Sequence, residues 1–61
     1  MYEKFEALLI ERDVKTSDVA RATKIQKSTF SSWKHGLYTP KIDKLKKIAD
    51  YFGVPVTYFI E

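Results

Sequence analysis

Between residues 27 and 32 the chain places an ammonium, Lys27, beside three hydroxyls, Ser28, Thr29 and Ser32, at spacings that share one side of a short helix. Each group has a definite use against the edge of a base pair. Lys27 can donate to guanine O6 and N7, the hydroxyls of Ser28 and Ser32 can donate or accept, and the methyl of Thr29 can touch a thymine methyl. Hydroxyls pair with several bases, so the set carries little sequence information by itself. The plain alternative for each serine is a solvated helix face, and for Lys27 a phosphate contact in place of a base contact. Ser31 is read as turned partly inward.

Two helices joined by a tight turn would hold these groups outward. Val19 and Ala20 with Thr23 form one short apolar stripe, Phe30 with Trp33 forms a second, and Ile25 lies between them. A small Ala20 permits close approach of the two helices, with Ile25 and Trp33 filling the angle where they cross. The spacing of Trp33 from Phe30 turns it into the core and away from base stacking. Together, residues 17 to 36 have the shape of a helix-turn-helix that reads DNA.

The rest of the chain supplies the support. Tyr2, Phe5, Leu8 and Leu9 predict a first helix over 2–12 that ends near Asp13. The second helix spans about 17–23, with Thr16 or Ser17 as its N-cap and Asp18 near the positive end of its dipole. The third spans 27–35 and closes at Gly36, which supplies a left-handed position. Ile42, Leu45, Ile48, Ala49 and Phe52 form one stripe along a fourth helix over 41–52, stopped by Gly53. Val54 before Pro55 is held out of the helical region, and 56–60 form a last short helix that packs Tyr58 or Phe59 on the core. These helices are too short to be stable alone, so the aromatic and aliphatic core must hold them. The expected fold is all-α, five helices in a single domain over residues 1–61.

At 61 residues the chain can bury only about 60% of the surface its unfolded form exposes, enough for one modest core. Without cysteine it has neither a disulfide framework nor a thiolate metal site, and a reducing cytoplasm is the expected location. The apolar run from Ala7 to Ile10 is too short for a signal peptide or a membrane span. Charge is uneven. Residues 1–14 carry two basic against four acidic groups, a net of −2, whereas residues 15–47 carry nine against two, a net of +7. Positive charge on the candidate motif and the segment after it suits a surface that neutralises phosphates. A solvated lysine face that keeps the protein soluble is the bland alternative. No paired carboxylates, phosphate loop or nucleophile and base can be assembled, so an enzyme is not expected. His35 has no nucleophile or second ligand near it in sequence, and neither cofactor nor metal is expected.

The chain resembles the lambda-repressor-like, Cro/CI type (XRE family) helix-turn-helix domain, in the form common among small phage-type repressors. The resemblance covers nearly the whole chain. It is carried by Val19-Ala20, Ile25, Ser28-Thr29-Phe30, Trp33, Gly36, Thr39-Pro40 and the run LKKIADYFGVPVTYFI from Leu45 to Ile60. It implies that the helix over 27–35 enters the major groove of double-stranded DNA. It also implies a homodimer that regulates transcription from an operator of two half-sites, about 10 bp apart from centre to centre.

Phosphate contacts are expected on both sides of that helix. Thr16 and Ser17 begin the second helix, whose positive end can face a phosphate. The resemblance adds His35, Tyr38 and Lys41 on the other side, while Lys44 and Lys47 add only diffuse attraction. For Tyr38 the alternative is a loop aromatic packed over the core. Three departures from the family pattern stand out. Thr16 replaces a frequent glutamine and is shorter. Lys24 stands where the turn usually has glycine, so either the turn is reshaped or the left-handed backbone costs roughly 1 kcal/mol. No basic arm precedes the first helix, so minor-groove reading by an arm is not expected.

A second class of function fits the same fold: a protein-interaction module, either an antirepressor target or antitoxin-like. Val56, Tyr58, Phe59 and Ile60 would then dock a partner or a second copy, and the alternative is that they finish the core. The end of the chain at Glu61, directly after the last helix, also fits the DNA-binding part of a longer regulator.

Overall fold

The computed structural model describes residues 1–60. Five helices follow in order: α1 (Tyr2–Arg12), α2 (Thr16–Thr23), α3 (Lys27–Lys34), α4 (Ile42–Phe52) and α5 (Thr57–Ile60). Among the described residues there is no strand, so the all-α expectation holds, and each helix end falls within one residue of its predicted place.

Phe5 organises the interior. It is fully buried, stacks on Phe30 at 5.2 Å between ring centroids, and meets Trp33 at 5.3 Å and Phe52 edge-on at 6.1 Å. One ring from α1 therefore touches both α3 and α4. Val19 from α2, Leu45, Ile48 and Ala49 from α4, Phe59 from α5, and Leu8 and Ile25 complete the core. Of the alternatives at the C-terminal end, Phe59 is the residue that is buried, and Tyr58 lies half-buried with the Lys4 ammonium 5.8 Å from its ring centre.

Local chemistry explains the helix ends, and three expectations need correction. First, the N-cap of α2 is Lys15, not Thr16 or Ser17. Asp18, three residues inside, accepts the Lys15 backbone N–H at 3.1 Å, so the cap is made by a carboxylate reaching back and the extended residue itself need not be a capping type. Second, His35 and Lys41 lie just outside α3 and α4 as C-cap and N-cap. Third, Ile42 is 53% exposed; as the first residue of α4 it precedes the turn that reaches the core, where burial begins at Leu45.

Gly36 and Gly53 both take the left-handed backbone expected of them, at φ 74° and 71°. After each, the chain closes back on the helix: Leu37 N–H donates to the Ser32 carbonyl at 2.9 Å, and Val54 N–H to that of Ala49 at 3.0 Å. Lys24 and Asp13 adopt the same region without being glycine, at φ 60° and 53°. The turn between α2 and α3 is therefore not reshaped to suit Lys24. It keeps the left-handed geometry and its cost.

Candidate nucleic-acid interface

Two aromatic side chains set the rotation of α3. Phe30 and Trp33 are 2% and 4% exposed; Phe30 lies flat on Phe5, and Tyr2 meets Trp33 edge-on at 5.3 Å. With about 100° of rotation per residue, fixing these two inward forces Ser28, Ser31 and His35 outward, and all three are exposed. Thr29 and Ser32 are half-buried toward one flank. Ser31 is thus corrected from partly inward to outward, because the aromatic pair sits on the opposite side of the helix.

Each flank of α3 borders a shallow depression. On one side Lys27, Phe30, Ser31 and Lys34 share a depression of about 180 Å³ with Tyr2 and Thr16. On the other, Ser28, Thr29 and Ser32 share one of about 200 Å³ with Tyr38 and Lys44. The structure therefore joins Lys27 to Thr16, and Ser28, Thr29 and Ser32 to Tyr38. Ser17, half-buried, and His35 and Lys41, both exposed, line neither depression.

Charge on this surface is uncommitted. Among the described residues, Lys27, Lys34, Lys41 and Lys44 form no ion pair; the bridges present are Met1–Glu3, Arg12–Glu11 and Arg21–Asp18. Asp18 also takes the Lys15 N–H, so the first turn of α2 already holds one negative group of its own near the positive dipole end. Tyr2 borders the Lys27 side. Burial pushes its phenol above the ordinary value and the Glu6 carboxylate adds to the shift, so its hydroxyl stays neutral at physiological pH and can donate. Among the described residues no three His, Cys, Asp or Glu gather as metal ligands, and no helix is long and apolar enough to cross a membrane.

Two groups on this surface, Lys34 and Tyr2, were missed in the sequence, and a third, Lys44, was given only diffuse attraction. Lys34 stands three residues after Ser31 and seven after Lys27, which is the spacing of one helix stripe, so a local signal existed. Tyr2 and Lys44 reach the surface only through tertiary packing, and no local pattern announces them.

An aromatic-anchored short helix with a polar outward face, joined by a tight turn to a second helix and bordered by unpaired lysines, defines a helix-turn-helix DNA-binding domain. Residues 4–60 match the family described as the Cro/C1-type HTH DNA-binding domain, and the chain belongs to that family. It is also 30% identical over 57 residues to the cryptic phage CTXphi transcriptional repressor RstR of Vibrio cholerae, covering 93% of this chain and 51% of that protein. The chain thus spans about half the length of this curated relative. No solved structure matches.

Proposed function

We propose that this domain represses transcription by reading an operator in double-stranded DNA through α3 in the major groove. The observation that carries the reading is the placement of the outward face of α3 between two lysine-bearing flanks. In this reading Lys27, Ser28, Thr29 and Ser32 face base edges, joined by the outward Ser31. Thr16 and Ser17 on one side and His35, Tyr38 and Lys41 on the other hold the phosphates that fix the register. The relative named as a phage transcriptional repressor supports the direction of regulation. A homodimer on a palindromic operator completes the proposal, each copy taking one half-site in the cytoplasm of a bacterial or phage-infected cell.

Selection of bound sequences from a random duplex pool tests it, followed by titration of the winner at two salt concentrations with wild type and a Lys27→Ala, Ser28→Ala, Ser32→Ala variant. A palindromic winner whose preference collapses in the variant is expected. Equal preference in both proteins would sink major-groove reading by these residues. The second reading, a module for an antirepressor or antitoxin-like partner, draws on Ile60, which is 54% exposed beside half-buried Val56 and Tyr58. Binding through such an apolar surface would be nearly insensitive to salt, whereas phosphate contacts weaken steeply with it.

A further inference from the structure

Lys44 and Tyr38 stand apart from the other charged and aromatic groups on this surface. Tyr38 lies in the connection between α3 and α4, half-buried, and the Lys44 ammonium, from the first turn of α4, sits 5.6 Å from its ring centre. That distance is within reach of cation–π attraction. Both residues line the depression formed by Ser28, Thr29 and Ser32. The other two lysines on α4 differ in setting: Lys46 lines none of the three depressions, and Lys47 borders a separate one with Ala22, Thr23, Lys24, Asp50 and Tyr51.

From this geometry we infer that Lys44 is the phosphate ligand on the α4 side of the reading helix, and that Tyr38 is a positioning residue whose ring, not its hydroxyl, holds the ammonium there. The inference rests on the DNA-reading function proposed above and changes two assignments within it. Lys44 moves from diffuse attraction to a direct contact, and Tyr38 from phosphate donor to platform. The physical reason is the difference between the two groups. A lysine side chain on an open surface spreads over many rotamers and gives up that freedom when it binds. One already held over a ring has surrendered part of it before DNA arrives, and it brings a full positive charge where a phenol brings one neutral hydrogen bond.

The test measures binding to one fixed duplex at several salt concentrations between about 50 and 200 mM, because phosphate contacts do not require the right sequence. Lys44→Ala is expected to lower the slope of log affinity against log salt by about 0.9, the signature of one lost phosphate contact. Lys46→Ala should leave that slope nearly unchanged. Tyr38→Phe keeps the ring and should bind as wild type, whereas Tyr38→Leu should weaken binding about two- to fivefold and add nothing once Lys44 is alanine. Circular dichroism melts verify that each variant is folded; should Tyr38→Leu unfold, Tyr38→Phe and the two lysine variants still decide. Equal slopes for Lys44→Ala and Lys46→Ala would overturn the inference, as would a loss in Tyr38→Phe as large as that in Lys44→Ala. A wild type that binds with a steep salt slope but selects no sequence removes the operator reading and leaves this contact standing. A wild type without salt-dependent binding removes both.

Discussion

Helices α3 and α4 follow one plan at different depths. Both are amphipathic and both carry polar groups outward, but α4 is eleven residues long and buries Leu45, Ile48, Ala49 and Phe52, whereas α3 has eight residues and buries only Phe30 and Trp33. The ends differ too. Both close on a left-handed glycine and neither N-cap, Gln26 nor Lys41, makes a side-chain capping bond, but the last turn of α4 also takes a side-chain donor, the Arg12 guanidinium to the Phe52 carbonyl at 3.0 Å. An eight-residue helix does not persist alone in water. Helix α3 is therefore a property of its seat, two rings on Phe5, and its exposed outward residues contribute little to that seat. Seat and outward face are separable in sequence because they occupy opposite sides of the same short element.

Removing the shared seat breaks the comparison most severely. Phe5→Ala deletes the ring that touches Phe30, Trp33 and Phe52 together and should cost on the order of 3–5 kcal/mol, enough to unfold so small a domain. Trp33→Ala falls in the same range, because its ring is 4% exposed. By contrast Ser28→Ala, on the exposed face, should change stability by less than about 0.5 kcal/mol. Urea unfolding followed by circular dichroism checks all three. A Phe5→Ala protein as stable as wild type would mean that α3 is seated by something other than these rings.

The same division governs what could be read from the sequence. Apolar spacing, together with Gly36, Gly53 and Pro55 as breaks, located the five helices to within a residue, because inward groups such as Phe5, Trp33 and Phe52 recur at the helical period. Caps were less legible. The start of α2 depends on Asp18 reaching back to Lys15, and a lysine at an N-cap has no propensity to advertise it. On the candidate face, Lys27, Ser28, Thr29 and Ser32 follow from the helical wheel, but the relative exposure of Ser31 and Ser32 follows from how Phe30 and Trp33 rest on a ring in α1. Lys44 lies fifteen residues after Thr29, and only folding brings the two to one depression. Its neighbours Lys46 and Lys47 look identical in sequence and go elsewhere.

Arg12 sharpens the contrast between α4, whose last turn takes a side-chain donor from α1, and α3, which is held by its two rings alone. Arg12→Ala removes the donor to the Phe52 carbonyl from a side chain that is 45% exposed, so solvent can replace part of the bond. A loss of about 1 kcal/mol is expected, seen as a lower urea midpoint with an unchanged slope. Hydrogen exchange should place the loss at the C-terminal turn of α4, leaving the amides of α3 to follow global unfolding. Uniform acceleration of both helices below the global limit would show that the two are not held separately.

Two turns carry left-handed non-glycine backbone, one after α1 and one leading into α3. Lys24 sits at φ 60° between α2 and α3, where a residue with a Cβ loses roughly 1 kcal/mol relative to glycine. Lys24→Gly should raise the melting temperature by about 4–8 °C. Asp13, at φ 53° after α1, should gain less on replacement by glycine, since aspartate tolerates that backbone better than lysine. Equal gains at the two sites would assign the effect to the general cost of left-handed backbone and not to the residue type in the turn. A lower melting temperature for Lys24→Gly would mean that its aliphatic stem contributes more than the strain costs.

The smallest effect lies at the edge of the core, beside the outward face of α3. Tyr2 packs on Phe5 and Trp33, and its phenol is held above the ordinary value of 10.0 by burial first and by Glu6 second. The neutral form is therefore favoured by the folded state. Its contribution to stability is complete below the unfolded value near 10.0 and is lost as pH rises through the folded one, because the unfolded chain ionises first. Tyr2→Phe keeps the ring but cannot ionise. The difference in stability between Tyr2→Phe and wild type should stay constant from neutral pH until the phenol begins to titrate, then move in favour of the variant. Lysine deprotonation alters both proteins alike and cancels in the difference. A difference independent of pH up to 11 would show that the Tyr2 hydroxyl is as well solvated folded as unfolded, and would place the boundary of the core inside Tyr2 instead of at it.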